Sequence, residues 1–323
     1  MTEKLPAAPS PPAKIGSLFH QHWWLDAVAP GDWDEKVETD SSGRVVGRLP
    51  YVIKKRSGLI LSRMPPLTHA LGPIIDIDEG GKAQTRREKE FFIVNKLIAA
   101  LPKADSVYQL MDGDYTIPFL SAGFRVGVLP TIQFSPTTPL DDVWKGMNAK
   151  LRNDIRNVQQ CAQIVEGKDP KEFAQFYIGS MEARGVSSYY ESPLLVRIYE
   201  ACKQRGQCRI TMVVGPAGRK YAGAFFAWDD NFVYYLLGCR DAGGQRGALS
   251  WLLWDGIARA GSNNRVLVET VTSRSRWKSL CDYGGVIVPR FIVQKESLQF
   301  GIVHTFRDWS RNRFWSEKSI FLG

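Results

Sequence analysis

The sequence predicts a mixed α/β protein of two domains, and three observations predict it. The chain has 323 residues, 44% hydrophobic and 23% charged, a balance that supplies two cores and rules out disorder over most of its length. Stretches with period-two apolar spacing alternate with stretches of helical spacing in both halves. Midway, Pro136-Thr-Thr-Pro139 interrupts both patterns, so the expected units are residues 15–135 and 136–323.

The elements follow in chain order. Pro6-Ala-Ala-Pro-Ser-Pro-Pro12 has too few large apolar groups to offset the entropy of ordering it, so residues 1–14 read as a flexible tail. Structure is expected from about Phe19, with His20, Trp23, Trp24 and Leu25. Val45 to Ile53 reads as a strand after the turn at Ser42-Gly43, and Leu59 to Met64 as its hairpin partner. Phe91, Phe92, Val94, Leu97, Ile98 and Leu101 recur at helical spacing from about Arg87, and Leu101-Pro102 ends that helix. Ser106 to Met111 and Phe124 to Phe134 are further strands.

In the second half, a helical pattern starts at Leu140-Asp-Asp-Val-Trp144 and runs through Leu151-Arg-Asn-Asp-Ile-Arg156; Phe173 to Met181 and Leu194 to Cys202 are two more amphipathic helices. Arg209 to Val214, Tyr221 to Trp228 and Phe232 to Leu237 form a β-meander, separated by turns at Gly215-Pro216 and Asp229-Asp-Asn231. Gly243-Gly-Gln-Arg-Gly247 then opens an apolar helix from Ala248 to Ala260, followed by the strand Val266 to Thr270.

Charge narrows the partners. Of the net charge of +9, residues 1–135 hold +1, from sixteen basic and fifteen acidic side chains, and residues 136–323 hold +8, from twenty-six and eighteen. Any anionic partner is expected to meet the second half. The five cysteines are scattered with no C-x-x-C pair, and there are four histidines, which argues against structural zinc and a disulfide framework. His20, His22, His69 and His304 show no partner spacing and are assigned no chemistry. No run approaches eighteen apolar residues and the first twenty carry prolines rather than an apolar signal core, so neither a membrane span nor a secretory signal is indicated and the expected location is the cytoplasm.

The stretch from Leu236-Leu-Gly238 through Arg240 to Gly247 and into the helix at Ala248 carries the strongest chemical signal. A glycine-rich loop feeding a helix N-terminus presents unpaired backbone N–H groups and the positive end of the helix dipole, which suits a phosphate, and Arg240 and Arg246 would add charge. The alternative is an ordinary strand-to-helix turn whose glycines supply unusual backbone angles.

Several passages in shared order resemble bacterial acyltransferases with a GNAT fold, of the BioF2-like or CelD-like type, relatives of the FemAB peptidyltransferases. They are Trp24-Leu-Asp-Ala-Val28, Gly43 to Lys55, Met64-Pro-Pro-Leu-Thr68 with Leu71-Gly-Pro73, Leu151 to Arg156, Tyr234-Tyr-Leu-Leu-Gly238 through Leu252-Leu-Trp254, and Tyr283-Gly-Gly285. The resemblance implies two tandem GNAT-like domains, each a mixed, mostly antiparallel sheet flanked by helices, with the donor site on the second. It implies acyl transfer, from acetyl-CoA or another acyl-CoA without a metal, to the amine of a small sugar or amino-acid-like acceptor. By that likeness Tyr234, Leu236, Leu237 and Gly238 lie on the splayed strand along which the donor arm runs, and Gln245, Arg246 and Gly247 lie at its phosphates. The usual GNAT pyrophosphate signature is not met from Arg240 or from Gln245. FemAB-type relatives use aminoacyl-tRNA, so tRNA is the alternative donor.

Such chemistry needs a base for the attacking amine. Glu269, in an apolar strand, matches the Glu of a Phe-Glu-Gly-Ser motif common in these relatives, although here the chain reads Val268-Glu-Thr-Val271 with Arg274 and Arg276 after it. A structural pairing of Glu269 with one of those arginines is the competing reading. Arg152 and Arg156 share a helix face and suit a phosphate or carboxylate if they are not simply solvated, Tyr189 and Tyr190 suit an acceptor pocket or core packing, and Arg274 joins the acceptor side. A non-catalytic nucleic-acid binder is the reading from another class, supported by the basic, aromatic stretch Phe306 to Trp315, although an amphipathic helix closing the second domain explains that stretch as well and is preferred.

Overall fold

The computed structural model describes residues 16–301 except 78, 79, 81, 114, 136, 263–265, 271–280 and 299, with backbone only at 262 and 266–270. The expected tail at 1–14, Arg274, Arg276 and the stretch 306–315 lie outside the described residues.

After a 3-10 turn at Leu18–His20, the first half runs α1 (His22–Val28), β1 (Trp33–Thr39), β2 (Val45–Arg56), β3 (Leu59–Ser62), β4 (Ile74–Ile75), α2 (Ala83–Ala99), β5 (Ser106–Met111), α3 (Thr116–Ser121) and β6 (Arg125–Phe134). The second runs α4 (Leu140–Gly146), α5 (Ala149–Gln159), β7 (Gln163–Gly167), α6 (Pro170–Glu182), α7 (Ser192–Lys203), β8 (Cys208–Val214), β9 (Lys220–Trp228), β10 (Phe232–Arg240), α8 (Ala248–Ser262), β11 (Val266–Thr270) and β12 (Val286–Glu296). The expected strands β2, β3, β5, β6 and β8–β11 and the expected helices α2 and α6–α8 are all present. The helical run from Leu140 divides in two because Met147 is extended (φ −67°, ψ 150°) and Asn148 restarts the helix, its side chain accepting the Lys150 N–H.

The strands form one hydrogen-bonded sheet in the order β1-β2-β3-β5-β12-β6-β11-β10-β9-β8-β7, with β4 beside β2. Hydrogen bonding is thus continuous across residue 136: β12 from the second half lies between β5 and β6 of the first, and β11 pairs antiparallel with β6.

Among the described residues, three apolar clusters cover this sheet. Leu18, Phe19, Trp24 and Leu25 pack with Phe173, Tyr177 and Ile198 of α6 and α7 against Tyr234 and Leu236 of β10, so the start of the described chain is part of the second half's core. On the other face, Leu252, Leu253 and Ile257 of α8 meet Ile155 and Val158 of α5 and Phe226 and Tyr235 of the sheet. The buried residues of α2, Ile93, Val94, Leu97 and Ile98, cover Leu49, Met111 and Val293. Full burial of each such side chain is worth roughly 1.5–3 kcal/mol.

Candidate functional site

The wedge between β10 and β11 organises the candidate site. Among the described residues these strands pair in parallel over three positions, Phe232 with Val266 to Tyr234 with Val268. Beyond that point Leu267–Thr270 stay paired with Phe134–Thr131 of β6, while β10 continues to Arg240, paired among the described residues with β9. The β9–β10 register shifts between Tyr235 and Leu237, leaving Leu236 as an extra residue on β10. A bulge bends and twists its strand, which carries β10 away from β11, and among the described residues no strand pairs that edge of β10 beyond Tyr234.

Of the residues expected along β10, Tyr234, Leu236 and Leu237 all pack on the first apolar cluster. Tyr234 is buried against Phe19, with ring centroids 4.4 Å apart, and its hydroxyl donates to Asp229 Oδ2 at 2.9 Å. Burial, then the Asp229 charge, push its pKa well above the usual phenol range, so it stays protonated. Leu236 is buried in the same cluster and Leu237 half-buried against it. At Gly238 an added Cβ would lie 1.6 Å from the Tyr235 hydroxyl, so the glycine makes room for that ring.

The glycine loop is already bonded within itself. Asp241 accepts Arg219 Nη2 at 2.7 Å, and Arg219 also donates to the Gly243 carbonyl. Arg219, with the amides of Gly243 and Ala242, holds the Asp241 carboxyl below the usual carboxylate range. The Gly244 amide donates to the Asp241 carbonyl and the Ala248 amide to that of Gln245. Arg246 Nε lies 2.8 Å from Asp154 Oδ2 on α5. Gly247 has φ +89°, and an added Cβ would lie 2.4 Å from the Asp154 carbonyl oxygen, so α5 closes directly onto the start of α8. The amides of 242, 243, 244 and 248 and the guanidinium of Arg246 have internal acceptors, which a donor pyrophosphate bound here would have to displace.

Among the described residues expected on the acceptor side, Arg152 and Arg156 meet α4, and Tyr189 and Tyr190 meet Tyr177 of α6. Arg152 donates to the carbonyls of Trp144 (3.2 Å), Lys145 (2.5 Å) and Met147 (3.0 Å), holding the C-terminal end of α4. Arg156 stacks over Trp144, 5.6 Å from its ring centroid, and reaches Asn153. The Tyr190 ring stacks on Tyr177 at 6.4 Å and packs against the first cluster, whereas Tyr189 is exposed and its amide donates to the Tyr177 hydroxyl. Glu269 is placed through its backbone, opposite Ile132 of β6 and one residue past the last β10–β11 pair.

A polar cluster missed by sequence reasoning adjoins Tyr234. Arg290 on β12 is 1% exposed, and its Nε lies 2.5 Å from Asp112 Oδ1, just beyond β5, whose side chain is 49% exposed. Both charges act on the Tyr234 hydroxyl. His20 is buried nearby, its Nε2 accepting the Gly72 amide at 3.2 Å, and burial lowers its pKa to about 4 against the raising influence of Asp112. Arg290 stands in the apolar run Val286-Ile-Val-Pro-Arg-Phe-Ile-Val293, and a charge inside such a run is the signal that could have found it. Among the described residues no group of three or more His, Cys, Asp or Glu could hold a metal, and no helix is long and apolar enough to cross a membrane.

No family model and no curated protein matches the sequence. Solved structures do match. FemX aligns over 87% of this chain and 92% of its own at 12% identity, TM-score 0.63. L-PGS from Bacillus licheniformis aligns over 90% and 91% at 10% identity, TM-score 0.54. A tandem GNAT protein from the clavulanic acid biosynthesis pathway aligns over 84% and 86% at 13% identity, TM-score 0.50. At such identities the likeness shows the fold, and this chain has the tandem GNAT-like fold shared by FemX and these proteins, as its resemblance to FemAB-related acyltransferases implied.

Proposed function

We propose that this chain is an acyltransferase that passes an acyl or aminoacyl group from an activated ester to an amine. The observation that carries the reading is the wedge: β10 leaves β11 after three paired positions at the Leu236 bulge, on a fold shared with FemX and a tandem GNAT protein. The donor's carbonyl would lie along the edge of β10 at Leu236–Gly238, where backbone N–H groups would hold the developing oxyanion. The amine attacks that carbonyl, Glu269 takes the amine proton, and the donor oxygen or sulfur leaves with the acyl bond broken. Tyr189, Tyr190 and Arg274 are the proposed acceptor contacts. Arg152 and Arg156 would serve that side indirectly, by fixing α4 and α5.

For the donor we favour an aminoacyl ester of tRNA, because Arg219, Arg246 and several amides of the glycine loop are already bonded within the protein and the +8 of residues 136–323 suits a polynucleotide backbone. Acetyl-CoA, with an amino sugar or amino-acid-like acceptor, is the second reading, favoured by the likeness to the tandem GNAT protein. The test is transfer of radiolabel from charged tRNA, and of acetyl from acetyl-CoA with thiol release, to a panel of amines. Glu269→Gln is expected to lower kcat by roughly 10²–10⁴ with donor binding intact. A variant turning over at the wild-type rate removes Glu269 as base, and no transfer from either donor defeats the reading.

A further inference from the structure

We propose that Asp154 and Asp241 act as built-in anions at the Gly243–Gly247 loop, standing where a nucleotide donor's pyrophosphate would bind and excluding it. The inference is independent of the acyl-transfer reading, since transfer from a donor without a pyrophosphate satisfies both.

A loop that binds pyrophosphate needs amides and cations that are unsatisfied until the ligand arrives. Here each carboxylate takes one guanidinium: Asp241 takes Arg219, and Asp154 takes Arg246. Asp241 also accepts the amides of Ala242 and Gly243. The two pairs sum to zero charge, and Arg240, exposed at the end of β10, belongs to neither. The second carboxylate comes from another element, which makes it a device rather than a loop idiosyncrasy. Asp154 is delivered by α5, and α5 is fixed at its own start: Arg152 holds the α4 carbonyls, and the Asn148 amide donates to the Asp282 carbonyl at 2.8 Å. With the Asp154 carbonyl against Gly247, the carboxylate is presented to Arg246 from a rigid base. Exclusion is then both electrostatic, from the two carboxylates, and steric, from the close approach of α5 to Gly247.

The experiment is calorimetric titration of the full chain, at low salt, with inorganic pyrophosphate and with coenzyme A. Wild type, Asp154→Asn and Arg246→Ala are compared, and melting temperatures confirm that each is folded. Asp154→Asn keeps the side chain's size and frees Arg246, so its pyrophosphate affinity is expected to rise at least tenfold over wild type. Arg246→Ala is expected to leave any coenzyme A affinity of the wild type within twofold. Asp154→Asn binding pyrophosphate no tighter than wild type overturns the proposal. So does micromolar coenzyme A binding by wild type that Arg246→Ala weakens tenfold, because the loop would then be the phosphate site after all.

Discussion

Burial sets the protonation of His20, and the consequence is a pH-dependent stability. Its folded-state pKa is about 4 against the ordinary 6.5. Between those values the unfolded chain takes up a proton that the folded chain refuses. The contribution is therefore complete above pH 6.5 and declines as pH falls through about 4, by on the order of 3 kcal/mol in all. Denaturant midpoints between pH 4 and 7 should show this slope, and His20→Gln should flatten that part of it; an unchanged slope would assign it to another group. Sequence spacing gave His20 no role, because what acts on it comes from Gly72, Asp112 and Asp229, all distant in the chain. Glu269 was legible as a carboxylate in an apolar strand, whereas the Asp112–Arg290 pair joins residues 178 apart.

At the scale of elements, the α4–α5 corner and the loop before α8 work as one unit. Arg152→Ala removes three hydrogen bonds to the end of α4 and should lower stability by about 1–2 kcal/mol. Gly247→Ala should be worse, by roughly 2–4 kcal/mol, since it adds left-handed backbone strain to overlap with α5. Urea unfolding measures both, and a neutral Gly247→Ala would show that α5 does not close onto α8. Periodicity revealed the elements that present one apolar face, such as α7, with Leu195, Ile198, Tyr199 and Cys202 buried, and the meander β8–β10. It passed over β1, whose seven residues are all half-buried or exposed, and β12, where exposed Val286 and Ile287 break the alternation expected of a half-buried strand.

Across the whole molecule, the sheet ties the halves together through β12 and β11. A fragment of residues 15–135 lacks β12, so β5 and β6 lose the strand between them and expose unpaired edges. It is expected to show no cooperative unfolding transition and to aggregate, whereas the full chain unfolds cooperatively; a soluble fragment with a sharp transition would establish residues 15–135 as an independent domain. The sequence by itself determined the mixed α/β class, most elements and the charge asymmetry, because apolar period and composition are local properties of the chain. The resemblance to FemAB-related acyltransferases added the tandem arrangement that the solved structures share. Only the tertiary structure decided which strands are neighbours, where β10 leaves β11, and that Asp154 reaches the glycine loop. A loop's spacing shows which groups could bind an anion, but whether those groups are already satisfied depends on residues that only folding brings beside them.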